Sequence, residues 1–92
     1  MQFEWDDAKN ASNQAKHGVA FEDAAIVFEG RTMTWLDERY RFTEPRLLTF
    51  GELAGRVVVI AHTVRGDRTR IISMRKANAR ETARYRERLA ED

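Results

Sequence analysis

The 92-residue chain contains no cysteine. That excludes disulfides, thiolate zinc sites and cysteine nucleophiles, and it permits a reducing compartment. Long apolar runs are also missing. Stretches such as VVVIA at 57–61 fall far short of the roughly 20 residues a membrane-spanning helix needs. The N-terminal MQFEWDDAKN is acidic, unlike a secretory signal, so a cytoplasmic protein with no membrane role is expected. There is no internal repeat, low-complexity segment or linker, and a chain this short buries only about 60–65% of its unfolded surface. One domain spanning 1–92 follows. No glycine-rich phosphate loop and no nucleophile elbow occurs, and Ser73 has no base beside it in sequence. His17 and His62 stand 45 residues apart, outside any metal-ligand spacing. Neither a metal nor another cofactor is expected.

Net charge is nearly absent as well: 16 Lys plus Arg against 15 Asp plus Glu leave +1. The distribution says more than the sum. Residues 1–46 hold 6 basic and 9 acidic side chains, while residues 47–92 hold 10 basic and 6 acidic. The segment RGDRTRIISMRKANAR at 65–80 carries Arg65, Arg68, Arg70, Arg75, Lys76 and Arg80 with Asp67 as its only acid. A polarised chain of this kind generates a local field able to hold phosphate, carboxylate or an acidic partner. The tripeptide RGD at 65–67 is itself best read as a hairpin turn.

Punctuation and periodicity outline an α+β fold. FEW at 3–5 alternates like a short strand, and Asp6 offers an N-cap to a helix through DAKNASNQAKH that stops at Gly18. Phe21, Ala24, Ala25 and Phe28 recur at helical spacing and predict a second helix over 21–28. The period then changes. Met33–Leu36, 46–53, 56–64 and 69–75 are rich in β-branched and apolar residues, with turn residues between them. They predict a four-stranded antiparallel meander, with the FEW stretch as a possible short extra strand. Asn78 with Glu81 three residues on is a capping-box pattern, opening a last helix over 78–89. The two early helices should cover one sheet face and leave the other partly open.

On the strand at 69–75, strict alternation sends Ile72 and Met74 one way and Ile71, Ser73 and Arg75 the other. Both sets contain an apolar residue, so the pattern does not fix which side is buried. Arg80, Arg84 and Arg88 line one face of the last helix, and Glu81, Glu87 and Glu91 nearby make a solvated charged face the ordinary explanation. Trp5, Phe21, Phe28, Trp35, Phe42 and Phe50 read as core or dimer surface. Tyr40 and Tyr85, with polar tips, are better placed for function.

The stretch FEWDDAKNASNQAKHGVAFEDAAIVF at 3–28 resembles the N-terminal signature of the BrnT toxins: tryptophan and acid, then an Asn, then Lys-His-Gly, then Phe with Ala at helical spacing. EPR at 44–46, Gly51, Gly55-Arg56 and RIISMRKANARETARY at 70–85 are similar to the rest of that family's pattern, so the likeness runs through nearly the whole chain. It implies a RelE-like fold and a metal-independent ribonuclease toxin of a type II toxin–antitoxin module. Such a toxin cleaves RNA, blocks translation, and is neutralised by a BrnA-like ribbon-helix-helix antitoxin. Operator DNA is met only through the antitoxin, in a complex assembled around dimers. Cleavage without metal would proceed by attack of a ribose 2′-oxygen on its neighbouring phosphate, which needs cations against the phosphorane charge and groups to move protons. Arg75 and Arg65 are the expected phosphate and transition-state contacts, with Arg46, Arg70, Lys76 and Arg80 as further phosphate contacts. Arg70 could instead pair with an acid such as Glu44. His17 and Tyr85 are the proton-transfer candidates, against a helix-capping role for the first and ring packing for the second. Lys16 would hold RNA backbone or an antitoxin acid. The alternative reading is a non-catalytic basic module that partners a DNA-binding protein in autoregulation.

Overall fold

A computed structural model describes residues 1–91. Its elements, in chain order, are β1 (Gln2–Glu4), α1 (Asp7–His17), a 3-10 turn at Phe21–Asp23 running into α2 (Ala24–Glu29), and β2 (Met33–Leu36). A 3-10 turn at Glu38–Tyr40 follows, then β3 (Leu47–Leu53), β4 (Arg56–Arg65), β5 (Arg68–Lys76) and α3 (Ala79–Glu91). The strands form one sheet in the order β1-β5-β4-β3-β2.

The helix ends follow the local chemistry read from the sequence. Asp6 accepts a hydrogen bond from the Lys9 N–H at 3.0 Å, and Gly18, at φ 69°, donates to the Gln14 carbonyl at 2.8 Å. Asn78 and Glu81 exchange bonds of 2.8 and 3.0 Å, the reciprocal capping box. What attaches α1 to the sheet is less usual. Its buried residues are both asparagines, Asn10 and Asn13. The Asn13 amide donates to the Met74 carbonyl at 2.7 Å and accepts from the Met74 N–H at 3.2 Å, so it imitates a neighbouring strand where β5 has none. Asn10 accepts from the Phe21 N–H at 2.9 Å and thereby fixes the turn that starts the second helix.

Two cores sandwich the sheet. On one side α2 and the segment that joins it to α1 bury Val19, Phe21, Ala24 and Val27 against Val58, Ile60, Ile71 and Met74. On the other side α3 buries Tyr85 against Phe50, Val57, Val59 and Ala77. The run Val57–Ile60 is continuously apolar because alternate residues of the central strand feed opposite cores, each needing hydrophobic side chains. The second core lies at one end of its face only, where α3 crosses. The remainder of that face is only partly open, with Thr63 3% exposed and bonded to the Pro45 carbonyl.

Two expectations need correction. The sheet has five strands and is mixed, not four and antiparallel: β1 lies beside β5 in parallel, with Gln2 opposite Arg68, Phe3 opposite Thr69 and Glu4 opposite Arg70. A three-residue strand carries too little pattern to reveal its partner, and parallel neighbours are always distant in sequence. The strict alternation on β5 also fails, because Ala61 pairs with Ser73 while His62 pairs with Ile71, leaving Ile72 as the extra residue of a bulge. Ile71 and Met74 therefore both reach the first core, at 1% and 0% exposure.

Candidate functional site

The bulge decides where the arginines point. Arg70 and Arg75 are five residues apart, a spacing that puts side chains on opposite faces of a regular strand. The extra residue at Ile72 restores them to one side, where Arg75 stands opposite Val59 and Arg70 opposite Thr63. Val59 belongs to the α3-side core, so both guanidinium groups stand on that face, half-buried. Arg65, at the end of β4, lies two residues beyond Thr63 and shares its side of the strand.

Each of these arginines holds a carboxylate. Arg75 donates to both oxygens of Glu81 at 2.7 and 2.8 Å. Arg65 makes the same fork to Glu44, both bonds at 3.0 Å. Arg70 donates to Glu4 at 2.7 Å, so its acid comes from β1 and not from Glu44. The guanidinium partners hold Glu81 and Glu44 below the usual carboxylate range, and the carboxylates in turn hold Arg75 and Arg65 above the ordinary arginine value. Arg46 and Arg70 also act on Glu44 through space. Three basic side chains, Arg65, Arg46 and Arg70, therefore act on one carboxylate, and two-oxygen anion binding is already the geometry adopted by Arg65 and Arg75.

The segment between β2 and β3 closes the site from one side. Asp37, 6% exposed, accepts from Arg39 Nε at 3.0 Å and Nη2 at 2.7 Å, and this bonding holds its carboxyl low. The Arg46 guanidinium carbon sits 4.0 Å from the Tyr40 ring centroid, with Arg39 5.5 Å from the same ring. Arg39 is close enough to Arg75 to oppose its charge. Sequence reasoning missed Arg39. The signal available was the dense charge of DERYR at 37–41 beside a tyrosine already singled out.

Other expected site residues lie elsewhere. Lys16 and His17 end α1, in the helical layer across the sheet from the arginine side chains. Tyr85 is 1% exposed and donates its hydroxyl to the Arg31 carbonyl at 2.6 Å, which is the packing arrangement; burial pushes its phenol up from the ordinary value. Lys76 stands opposite Val58 and so projects toward the α1–α2 side. Arg80 is exposed in the first turn of α3. His62 is buried at the first core, with Nε2 2.7 Å from the Thr49 hydroxyl and its ring edge-on to Phe28. Phe42 is 88% exposed, whereas Phe21 and Phe50 are core. Among the described residues no group of three or more His, Asp or Glu side chains could hold a metal ion, and no helix is long and apolar enough to cross a membrane.

The family model described as "Ribonuclease toxin, BrnT, of type II toxin-antitoxin system" matches residues 5–81, from Trp5 through the capping-box acid. That span contains Arg39, Arg46, Arg65, Arg70, Arg75 and Glu81. No curated protein matches the chain.

Proposed function

The chain belongs to the BrnT family of ribonuclease toxins of type II toxin–antitoxin systems, and from that premise we propose that the open, arginine-lined face of its sheet cleaves RNA and so blocks translation. The observation that carries this reading is the placement of Arg65, Arg70 and Arg75 along one side of the sheet, the bulge at Ile72 bringing Arg70 to the side of Arg75. The fold is taken as RelE-like, with an antiparallel core, an open face and a C-terminal helix at its edge.

In the proposed reaction a ribose 2′-oxygen bonds to the adjacent phosphorus while the bond to the 5′-oxygen breaks, and the 5′-oxygen leaves with the electron pair and takes a proton from water. Arg75 exchanges its carboxylate for phosphate oxygens, and its fixed positive charge offsets the charge that grows on the phosphorane. Arg65, Arg46 and Arg70, further along the same side of the sheet, extend the field along the backbone. No metal is required for this step, since the charge falls to guanidinium groups. Release of Glu81 from Arg75 also relieves the influence that holds its carboxyl low, leaving it free to take the 2′-proton. Lys16 and His17, across the sheet, suit contacts with a partner better than contacts with the scissile phosphate. The partner is taken as a cytoplasmic ribbon-helix-helix antitoxin of BrnA type, joined in a dimer-based complex that meets operator DNA.

The test uses purified protein and RNA in chelator, alongside incorporation of labelled amino acid in bacteria after induction. Native protein should yield fragments ending in 2′,3′-cyclic phosphate and stop incorporation. Arg75→Ala, folded and equally abundant, should lose on the order of 10²–10³ in kcat, as when one transition-state donor is removed. A second reading has its own observation: each carboxylate held on this face is what an acidic partner segment would present. If native protein leaves RNA intact and incorporation unaffected while binding its antitoxin, the non-catalytic module is the function.

A further inference from the structure

A concavity lies beside the arginines, between α3 and the β2–β3 pair. It is a cleft of about 460 Å³, lined by Trp35, Leu48, Phe50, Arg84, Glu38 and Glu81, and this volume is within the roughly 300–1,000 Å³ range of small-ligand sites. Phe50 meets Trp35 edge-on, centroids 4.9 Å apart at 89°, which fixes the indole plane. The Arg84 guanidinium carbon lies 4.4 Å from the Trp35 ring centroid, and that of Arg88 lies 6.0 Å away. Arg84 has no carboxylate partner among the described residues. It is exposed, yet held over an aromatic face. Glu81 links this cleft to the arginine site, because it lines the wall and also grips Arg75 with two bonds.

We propose that this cleft receives the nucleobase next to the phosphate held by Arg75, stacked against the Arg84 guanidinium over Trp35. The inference rests on the ribonuclease reading and adds to it the place where substrate is gripped beside the reacting phosphate. A planar base finds an apolar floor in Leu48 and Phe50 and a cationic plane to stack on. The charge pattern separates this occupant from an acidic protein segment. Glu38 and Glu81 stand in the walls, and they repel carboxylates but accept hydrogen bonds from the N–H groups of a base.

The experiment uses the full chain. Trp5→Phe leaves Trp35 as the sole tryptophan, and its fluorescence is titrated with a short RNA whose 2′-oxygens are methylated and which therefore cannot be cut. The same oligonucleotide with an abasic residue at each position in turn serves as control. The intact probe should quench Trp35, and one abasic position should abolish the quench. In the otherwise native sequence Arg84→Gln should raise the KM for RNA roughly tenfold, the scale of one stacked base. This second readout stands if Trp5→Phe fails to fold. If native protein cleaves RNA and Arg84→Gln does so with unchanged KM, the cleft inference is overturned and the ribonuclease reading survives. If no form cleaves RNA, the ribonuclease reading falls and the quench alone judges the cleft, an abasic-insensitive signal overturning it. If Arg84→Gln keeps its KM but weakens antitoxin binding, the surface belongs to a protein partner and the inference is wrong.

Discussion

Replacing Asn13 by alanine should be among the most damaging single changes outside the hydrophobic cores. The Asn13 side chain is 7% exposed and makes three hydrogen bonds: to the Val19 carbonyl at 3.0 Å, and to the Met74 carbonyl and N–H at 2.7 and 3.2 Å. Met74 is itself fully buried. Alanine therefore leaves a buried N–H and two carbonyls without these partners, and at about 1 kcal/mol per bond the loss is about 3 kcal/mol. For a domain of this size that lowers the thermal midpoint by roughly 12–24 °C. Aspartate should do no better. It can still accept from the Met74 N–H, but it sets a carboxylate against the two carbonyls that the amide had served. The assay is thermal unfolding of native, Asn13→Ala and Asn13→Asp proteins by circular dichroism, with amide exchange at Met74 as the local readout. A loss below 1 kcal/mol for alanine, with the Met74 amide still protected, would refute the idea that this side chain substitutes for a missing strand.

Gly51→Ala places a Cβ 2.6 Å from Val27 Cγ1 and 3.2 Å from Thr32 Cγ2; it should cost about 1–3 kcal/mol, and denaturant unfolding should show Val27→Ala partly rescuing it in the double variant. Burial pushes the His62 imidazole down to about 4, against about 6.5 in the unfolded chain. The unfolded state therefore binds more protons in that interval, so stability is complete above about pH 6.5 and falls as pH drops toward 4, by about 2 kcal/mol at pH 5. Thermal midpoints at pH 7 and 5 should show the drop, and His62→Gln should flatten it. Tyr85→Phe removes the bond to the Arg31 carbonyl and should cost about 1 kcal/mol while kcat on RNA stays within twofold of native; a large fall in kcat with stability intact would restore the hydroxyl to a role in proton transfer. Glu81→Gln can still accept the Asn78 N–H and preserve the helix cap, so its loss should appear in kcat more than in thermal midpoint.

How much was legible in the sequence depended on the range of the interaction. Asp6, Gly18 and the Asn78–Glu81 pair act within one helical turn, and each stands where local chemistry puts it. The arginines of β4 and β5 were visible as a local excess of charge. Their grouping was not, because the side on which Arg70 falls relative to Arg75 depends on one bulged residue in a strand with apolar side chains on both faces. The acids they hold were equally hidden, coming from β1, from the segment before β3 and from α3. Tyr85 was misleading for a related reason. A polar tip at the end of a ring reads as function until the opposing carbonyl, 54 residues away, is known.

The pairing of β1 with β5 has a consequence for the order in which the molecule is made. Glu4 is made 66 residues before the partner it meets, Arg70. At about 5–20 residues per second that is a wait of roughly 3–13 s. Strand contacts of such long sequence separation close late, after the costs of joining distant segments have been met. The elements that this late closure brings in, β5 and the helix that carries Glu81, are also those that complete the arginine face. A chain caught before β5 has joined the sheet therefore lacks that face.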